Sequence, residues 1–349
     1  MMFKYTKVVL INVCVYLTLI IGSDLIFGYW FKEYNFGPQL RGKRIQKIIF
    51  NHNNEKTTYL RDFYGFRENN NIYEKYDASK IKIIFNGGST GDEMYKNYDD
   101  TIVGNLNSYL NQDGSNLKIY NASLSGKSLK GHIQEFRSWF SNIPNFKPDI
   151  IIYYLGINDR GIKPDRWHDF KYNLNLFEKI YWNITQKSFF YEKLKYIKDN
   201  FFFSQRDKYF TDDEELIKKL RGSEYISYEY AKSNYKNISA EEKEVINNFN
   251  MNLDKLLEQL YIFNIKPIFI TQIKYDINGQ RILFFLNEEL KKFSKENNLE
   301  VIKLDELVKS PLNNSFIDTV HTNKKGSVEI SKIIYPELKN ILFDYYKLN

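Results

Sequence analysis

The chain has 349 residues, of which 43% are hydrophobic and 17% aromatic, with a formal net charge of +7. An apolar share of this size excludes collagen-like and globally disordered chains, because such residues can bury a large core. The 50 basic and 43 acidic residues are intermixed, which argues against a nucleic-acid partner. The single cysteine and four histidines exclude a disulfide framework and leave little scope for a metal centre, so we predict no metal and no cofactor.

The first predicted element is an apolar segment at residues 8–31, whose only charged residue is Asp24. A helix of this length spans roughly 36 Å, enough to cross a bilayer core. Tyr29 and Trp30 suit the aromatic belt at a membrane interface. We therefore predict an uncleaved single-span anchor in the cell membrane; a cleaved signal peptide and a buried helix remain alternatives.

The charges around this segment bear on its orientation. Four basic residues within residues 41–47 follow the span and outnumber Lys4 and Lys7 before it, which by itself favours a cytoplasmic C-terminal side. Large domains translocate despite such charges. We predict that the large C-terminal domain is extracytoplasmic and keep the cytoplasmic side as the alternative.

Strand and helix patterns alternate after an aromatic segment at residues 32–80, which we expect to pack on the core. The alternation defines one domain over residues 81–349. We predict that a helical insertion at about 160–238 interrupts it, with helix-like stretches such as 214–220. The predicted strands are 81–85, 117–120, 149–155, 267–271 and 300–304. The predicted helices are 101–111, 129–140, 240–261, 281–297 and a last helix from about 325. This alternation indicates a mainly parallel sheet with helices on both faces.

Polar and glycine-rich motifs follow the predicted strands. They are residues 86–92 after the first strand, 121–126 after the second and 156–159 after the third, and residues 318–321 precede the last helix. Ligands of an open parallel sheet bind beyond the carboxyl ends of its strands. We therefore expect these motifs to form one site.

The residue types in these motifs suit nucleophilic catalysis. A serine hydroxyl such as Ser89 attacks well only when a base takes its proton, and His321 suits that role. Asp318 can orient the imidazole if residues 319–320 form a tight turn. The non-catalytic alternatives are a phosphate-binding turn at residues 87–91 and a helix-capping role for Asp318.

Together the four motifs resemble the SGNH (GDSL-type) hydrolase superfamily. The resemblance implies a three-layer α/β/α, flavodoxin-like fold with a five-stranded parallel sheet. It implies that Ser89 is the nucleophile, His321 the base and Asp318 its orienting carboxylate. It also implies an oxyanion hole formed by the backbone N–H groups of Ser89 and Gly126 and the side-chain amide of Asn158.

Two further features bear on this resemblance. Residues 59–67 are similar to a segment that precedes the first motif in membrane-anchored members. Thr271–Gln272 after the fourth strand is also similar to the family. The family's usual aspartate before the serine is Gly88 here.

The resemblance implies a membrane-anchored serine esterase that removes O-acetyl groups from a cell-envelope or surface carbohydrate. The open alternatives are an O-acyltransferase using the same triad, a lipid esterase, and a non-enzymatic glycan-binding protein. The expected partners are an acylated carbohydrate or other ester and the membrane. The sequence leaves the oligomeric state open.

Overall fold

The computed structural model divides the chain into two compact units. We call Met1–Gln39 with Tyr172–Phe203 the helical unit, and Leu40–Lys171 with Ser204–Asn349 the α/β unit. The structure describes residues 2–28, 30–31, 46–52, 55–68, 74–161, 175–201, 225–274, 277–310, 312 and 314–348. The helix-like stretch predicted at 214–220 lies outside these residues.

The elements of the described residues are numbered here in chain order. The strands are β1 (Gln46–His52), β2 (Glu55–Arg61), β3 (Ile83–Gly87), β4 (Ile119–Asn121), β5 (Ile150–Tyr154), β6 (Lys266–Ile270) and β7 (Glu300–Ile302). The α-helices are α1 (Met2–Phe27), α2 (Ser89–Asp92), α3 (Ile102–Gln112), α4 (Leu129–Ser138), α5 (Leu176–Lys187), α6 (Phe189–Phe201), α7 (Tyr228–Asn234), α8 (Ala240–Ile262), α9 (Ile277–Glu296), α10 (Leu304–Leu307) and α11 (Lys324–Tyr346).

The main sheet has five parallel strands in the order β4-β3-β5-β6-β7. Counted along the chain this order is 2-1-3-4-5, the flavodoxin-like doubly wound arrangement. The predicted fold class is therefore confirmed. The strands β1 and β2 form a separate antiparallel hairpin, which the sequence analysis did not predict.

Helices cover both faces of the main sheet. Successive side chains of a strand point to opposite faces, so Ile83 and Phe85 join one core, together with α3 and α11 residues such as Leu106 and Ile334. On the other face, the Phe269 ring of β6 contacts Phe293 of α9. The helices α4 and α9 both contact α8. The result is the predicted α/β/α sandwich.

Local capping explains why several helices begin where the sequence predicts. Thr101 accepts the Gly104 N–H before α3, and Asn323 accepts the Gly326 N–H before α11. Ser239 forms a capping box with Glu242 at the start of α8.

Two predicted boundaries are wrong for identifiable reasons. The second strand begins at Ile119 rather than at residue 117, because its first partner on β3 is Ile83. The helix α4 ends at Ser138 rather than at residue 140. Trp139 leaves the helical conformation and donates from its indole N–H to the Tyr64 carbonyl.

The helix α1 is the apolar N-terminal element. Within the described residues, Thr6–Phe27 is the one helical segment long and apolar enough to cross a membrane, with a mean hydropathy of 2.1 and none of it buried. By length and composition alone, a signal sequence would satisfy the same description.

Candidate active site

Ser89 is the first residue of α2, directly after β3, so its side chain lies at the carboxyl edge of the sheet. Gly88 precedes it, and a Cβ atom there would collide with the side-chain amide nitrogen of Asn158. This close approach explains why residue 88 is a glycine. The Ser89 N–H lies in the first turn of a helix, where backbone donors have no partner within the helix.

Ser89, His321 and Asp318 form one continuous chain of hydrogen bonds. The Ser89 Oγ lies 2.8 Å from His321 Nε2, and His321 Nδ1 lies 2.8 Å from Asp318 Oδ2. A carboxylate can only accept, so Nδ1 donates to Asp318 and Nε2 is left to accept the serine proton. The structure thus brings together three predicted residues that are up to 232 positions apart.

The turn after Asp318 holds its carboxylate in place. Its Oδ1 accepts the backbone N–H groups of Val320 and His321 at 2.9 and 2.8 Å, which is the tight turn that the sequence analysis required. Burial disfavours the charged form of Asp318. The hydrogen bonds from the His321 ring and these two N–H groups outweigh burial and lower the carboxyl pKa below its ordinary value. Asp318 is therefore held as a carboxylate.

The two predicted oxyanion donors lie beside this triad. Gly126 lines the same cavity as Ser89, and its φ of +80° is in the left-handed region that favours glycine. Asn158 donates one amide hydrogen to the Lys127 carbonyl at 2.8 Å. This bond holds the side-chain amide of Asn158 against the segment that carries Gly126.

A buried ion pair that the sequence analysis did not predict fixes the loop before Gly126. The guanidinium of Arg61, at the end of β2, lies 2.8 Å from Asp92 Oδ1, and both side chains are almost completely buried. The other oxygen, Asp92 Oδ2, accepts the Ser125 N–H and hydroxyl at 3.1 and 2.8 Å. Through Arg61 and Asp92, the segment at residues 59–67 therefore helps to hold the loop that carries Gly126.

A second buried pair fixes the same loop from its other side. Lys127, fully buried, pairs with Glu135 of α4, which also contacts Asn86 and His132. Burial opposes ionisation of Glu135, but the charges of Lys127 and His132 outweigh it and lower the pKa of Glu135. Gly126 thus lies between two residues that are each held by a buried carboxylate.

A third buried pair holds the histidine loop. Lys96 pairs with Glu93, just after α2, and donates to the hydroxyl of Thr322 at 2.8 Å. Thr322 also donates to Glu93 at 2.9 Å. Because Thr322 follows His321, these bonds tie the base to the segment that carries the nucleophile. A sequence signal existed, since Asp92 is the last residue of the serine motif and Glu93 follows it.

Gln272, at the end of β6, connects two of the motifs. Its amide nitrogen donates to the Thr90 hydroxyl at 2.9 Å, and its amide oxygen accepts the Ile157 N–H at 2.6 Å. Gln272 therefore holds the nucleophile turn and the Asn158 loop in register. The sequence analysis noted this residue without giving it a role.

A cavity of about 340 Å³ opens over Ser89 and His321. Met94, Tyr95 and Ile317 form part of its wall, and the buried Glu93, Lys96 and Thr322 also line it. The volume is at the lower end of the range for small-molecule sites. Among the residues that the structure describes, no group of three or more His, Cys, Asp or Glu side chains could hold a metal ion.

Comparisons with known proteins give structural neighbours only. No protein-family model matches the chain, and no curated protein is significantly similar in sequence. The crystal structure of TesA is 12% identical and covers 74% of this chain and 98% of TesA, with a TM-score of 0.43. The psychrotrophic esterase EstA of Pseudoalteromonas sp. is 14% identical over 75% of this chain and 98% of its own, with a TM-score of 0.42. The lipase/acylhydrolase of Enterococcus faecalis is 14% identical over 74% and 96%, also with a TM-score of 0.42.

The strand order, the order of the four motifs and the Ser–His–Asp chain of hydrogen bonds confirm the resemblance to SGNH hydrolases. The site has the arrangement of groups that ester hydrolysis through a serine nucleophile requires.

Proposed function

We propose that this chain is a serine esterase that works through an acyl-Ser89 intermediate. The observation that carries the proposal is the hydrogen-bonded chain from Ser89 through His321 to Asp318, with Gly126 lining the same cavity. In the first half-reaction Ser89 Oγ attacks the ester carbonyl carbon, and His321 Nε2 takes the hydroxyl proton. The resulting oxyanion is stabilised by the N–H groups of Ser89 and Gly126 and by the Asn158 amide.

Collapse of this intermediate breaks the bond to the alcohol, which leaves with the proton from His321. Water then attacks the acyl carbonyl carbon and gives a proton to His321. Collapse of this second intermediate breaks the bond between the acyl group and Ser89 Oγ, which takes the proton back from His321, and the free acid is released. Asp318 remains a carboxylate throughout and stabilises the imidazolium that forms twice in each cycle.

Covalent labelling by a fluorophosphonate tests this mechanism in the detergent-solubilised full chain. Ser89→Ala and His321→Ala should each abolish labelling and lower kcat for an aryl acetate by roughly 10⁴-fold or more. The control is Ser141→Ala, which should label like the wild type, because Ser141 is exposed and its hydroxyl donates to the Arg137 carbonyl at 2.9 Å. If the wild type is not labelled by the fluorophosphonate and does not hydrolyse the aryl acetate, the proposal is contradicted.

The cavity favours a short acyl group over a long one. A long alkyl chain in this space would have to lie against Glu93 and Lys96, whose charges cannot be separated without cost. We therefore propose an acetyl ester and set aside the lipid-esterase alternative. Rates on p-nitrophenyl acetate, butyrate and laurate should fall with chain length; a preference for laurate would reverse this choice.

The proposed substrate is an O-acetylated carbohydrate of the cell envelope or surface, a class that follows from the resemblance to anchored SGNH members. Acetate release from an O-acetylated polysaccharide, with the deacetylated polymer as control, tests this substrate. Adding a glycan acceptor distinguishes the acyltransferase alternative, because the acyl-enzyme is the same and only the attacking hydroxyl differs. Acetyl transfer to the acceptor in excess of hydrolysis would favour the transferase.

We further propose that α1 is a retained membrane anchor and that the α/β unit is extracytoplasmic. The exposed apolar surface of α1 over Thr6–Phe27 supports an anchor. Alkaline carbonate extraction should leave the protein in the membrane pellet, and a protease added to cells with an intact inner membrane and an opened envelope should digest the α/β unit. Release into the supernatant would instead indicate a cleaved signal.

A further inference from the structure

The helix α5 has a stripe of exposed apolar side chains. Its members recur at helical spacing and are between 42% and 81% exposed. They are Leu176, Phe177, Ile180, Tyr181 and Ile184. Thr185, on another side of the helix, is buried, so α5 packs through that side and leaves the stripe uncovered within the described residues. Apolar side chains that are this exposed and contiguous mark an interaction surface.

The next helix, α6, has a similar stripe. Phe190, Leu194 and Ile197 follow the i, i+4, i+7 pattern of one helix face and are between 37% and 65% exposed. The side chain of Phe189 lies elsewhere, with its ring centroid 5.8 Å from that of Phe27 in α1. The helices α5 and α6 therefore form an amphipathic pair whose apolar stripes lack cover from the described residues.

Asp24 attaches this pair to the last turn of α1. Its Oδ1 accepts the Ser188 hydroxyl at 2.9 Å and the Phe190 N–H at 3.2 Å, at the junction between α5 and α6. Its Oδ2 accepts the indole N–H of Trp30 at 2.9 Å. These bonds account for the one carboxylate in an otherwise apolar helix. They also place the helix pair at the level where α1 ends.

We propose that α5 and α6 lie in the interface of the same bilayer that α1 spans, with their apolar stripes against the acyl-chain boundary. This inference rests on the proposed membrane anchor. A spanning α1 puts its last turn, and hence the attached pair, at the polar–apolar boundary of the membrane.

The charges of the pair suit this occupant. Lys187 lies 5.8 Å from the centroid of the Trp30 ring, and Lys193 lies 5.3 Å from that of Phe189. Lysine beside an aromatic ring is typical of residues at the headgroup level, where the stem lies on apolar surface and the ammonium reaches phosphate. The helix α1, to which the pair is attached through Asp24, also exposes apolar side chains along Thr6–Phe27, so lipid is a more consistent occupant than a protein partner.

Spin labels on the full chain in phosphatidylcholine–phosphatidylglycerol nanodiscs test the inference. The native Cys14, in the middle of α1, reports the anchor. In a Cys14→Ser background, Ile180→Cys reports the stripe and Lys179→Cys is the control on a neighbouring polar side. Both positions are exposed, so either label can be carried without disturbing a core.

The readout is the ratio of label accessibility to oxygen, which concentrates in hydrocarbon, over accessibility to a water-soluble nickel chelate. We expect this ratio to be high at position 14 and at least threefold higher at 180 than at 179. A high ratio at 14 with equal ratios at 179 and 180 would overturn the inference and leave the anchor intact. A low ratio at 14 would remove the anchor, and the inference with it. Protection of position 180 from both reagents would overturn the inference in favour of a second copy or another protein on the stripe.

Discussion

The two units of this chain distribute charge and apolar surface in opposite ways. In the α/β unit the apolar side chains form the core, and even charged groups such as Arg61 and Glu135 are buried in pairs. In the helical unit the apolar side chains of α1, α5 and α6 are largely on the outside, and the polar Asp24 makes the internal contacts.

This difference supports the proposal that the two units lie in different surroundings. In water, burial of apolar surface is favourable, and the α/β unit buries its apolar side chains. An outward apolar face is stable where hydrocarbon replaces water, because the same side chains are then already in an apolar medium. Substitutions should therefore have large effects in the α/β unit and small ones on the exposed face of the helical unit.

The largest loss of stability is expected for Glu135→Gln. This change leaves Lys127 buried without a counter-charge, and breaking such a pair costs about 3–5 kcal/mol of unfolding free energy. The control is Glu300→Gln, because Glu300 pairs with Lys266 at 3.7 Å on the surface and its loss should cost less than about 1 kcal/mol. Pulse proteolysis in a urea series on the solubilised chain measures both; equal losses would contradict the buried pair's role.

Asn158→Ala tests whether the carboxyl edge of the sheet is equally intolerant of change. Loss of one oxyanion donor should lower kcat by about 10²–10³-fold, with KM little changed, because the donor acts on charge that develops in the transition state. The control is Asn142→Ala. Like Asn158, Asn142 donates to a backbone carbonyl, in this case that of Ser138 at 3.2 Å. Similar kcat values for the two variants would exclude Asn158 from the oxyanion hole.

Asp62 gives the α/β unit a pH dependence. Burial raises its pKa to about 6, against hydrogen bonds from Tyr76 and two backbone N–H groups that lower it. The folded state thus holds the proton more tightly than the unfolded state, so this group's contribution is complete below about pH 4 and is lost as pH rises to about 6.

The wild type should accordingly lose on the order of 2–3 kcal/mol of stability relative to Asp62→Asn between pH 4 and pH 7. Urea unfolding of both proteins at a series of pH values measures the difference. A difference that does not change with pH would mean that Asp62 ionises normally in the folded protein.

The smallest effect is expected on the exposed face of the helical unit. Leu194→Ala should change the free energy of unfolding of the α/β unit by less than about 0.5 kcal/mol in detergent, because substitutions at exposed positions usually have small effects. The matched change Leu290→Ala, at a buried position of α9, should cost about 2–5 kcal/mol. Comparable losses at the two leucines would break the contrast between the units.

The sequence predicted most of the α/β core because its signals are local. Apolar strand segments, turn residues and helix caps such as Ser239 act within a few residues, so the element order could be read along the chain. It missed the β1–β2 hairpin, whose register depends on the partner strand. The insertion was predicted to be helical, but the bounds of α5 and α6 were not, because their apolar stripes alternate with charged residues.

The sequence by itself determined the alternation of strands and helices, the apolar span and the residue types of the triad. Only the tertiary structure decided that Ser89, His321 and Asp318 meet, and that three buried ion pairs and Gln272 support their loops. The physical reason is that a buried charge is tolerated only beside a partner of opposite charge, and the sequence does not state which group that partner is. In the same way, the sequence gives no partner for Asp24 in its apolar helix, whereas the fold brings the donors of Ser188 and Trp30 to its carboxylate.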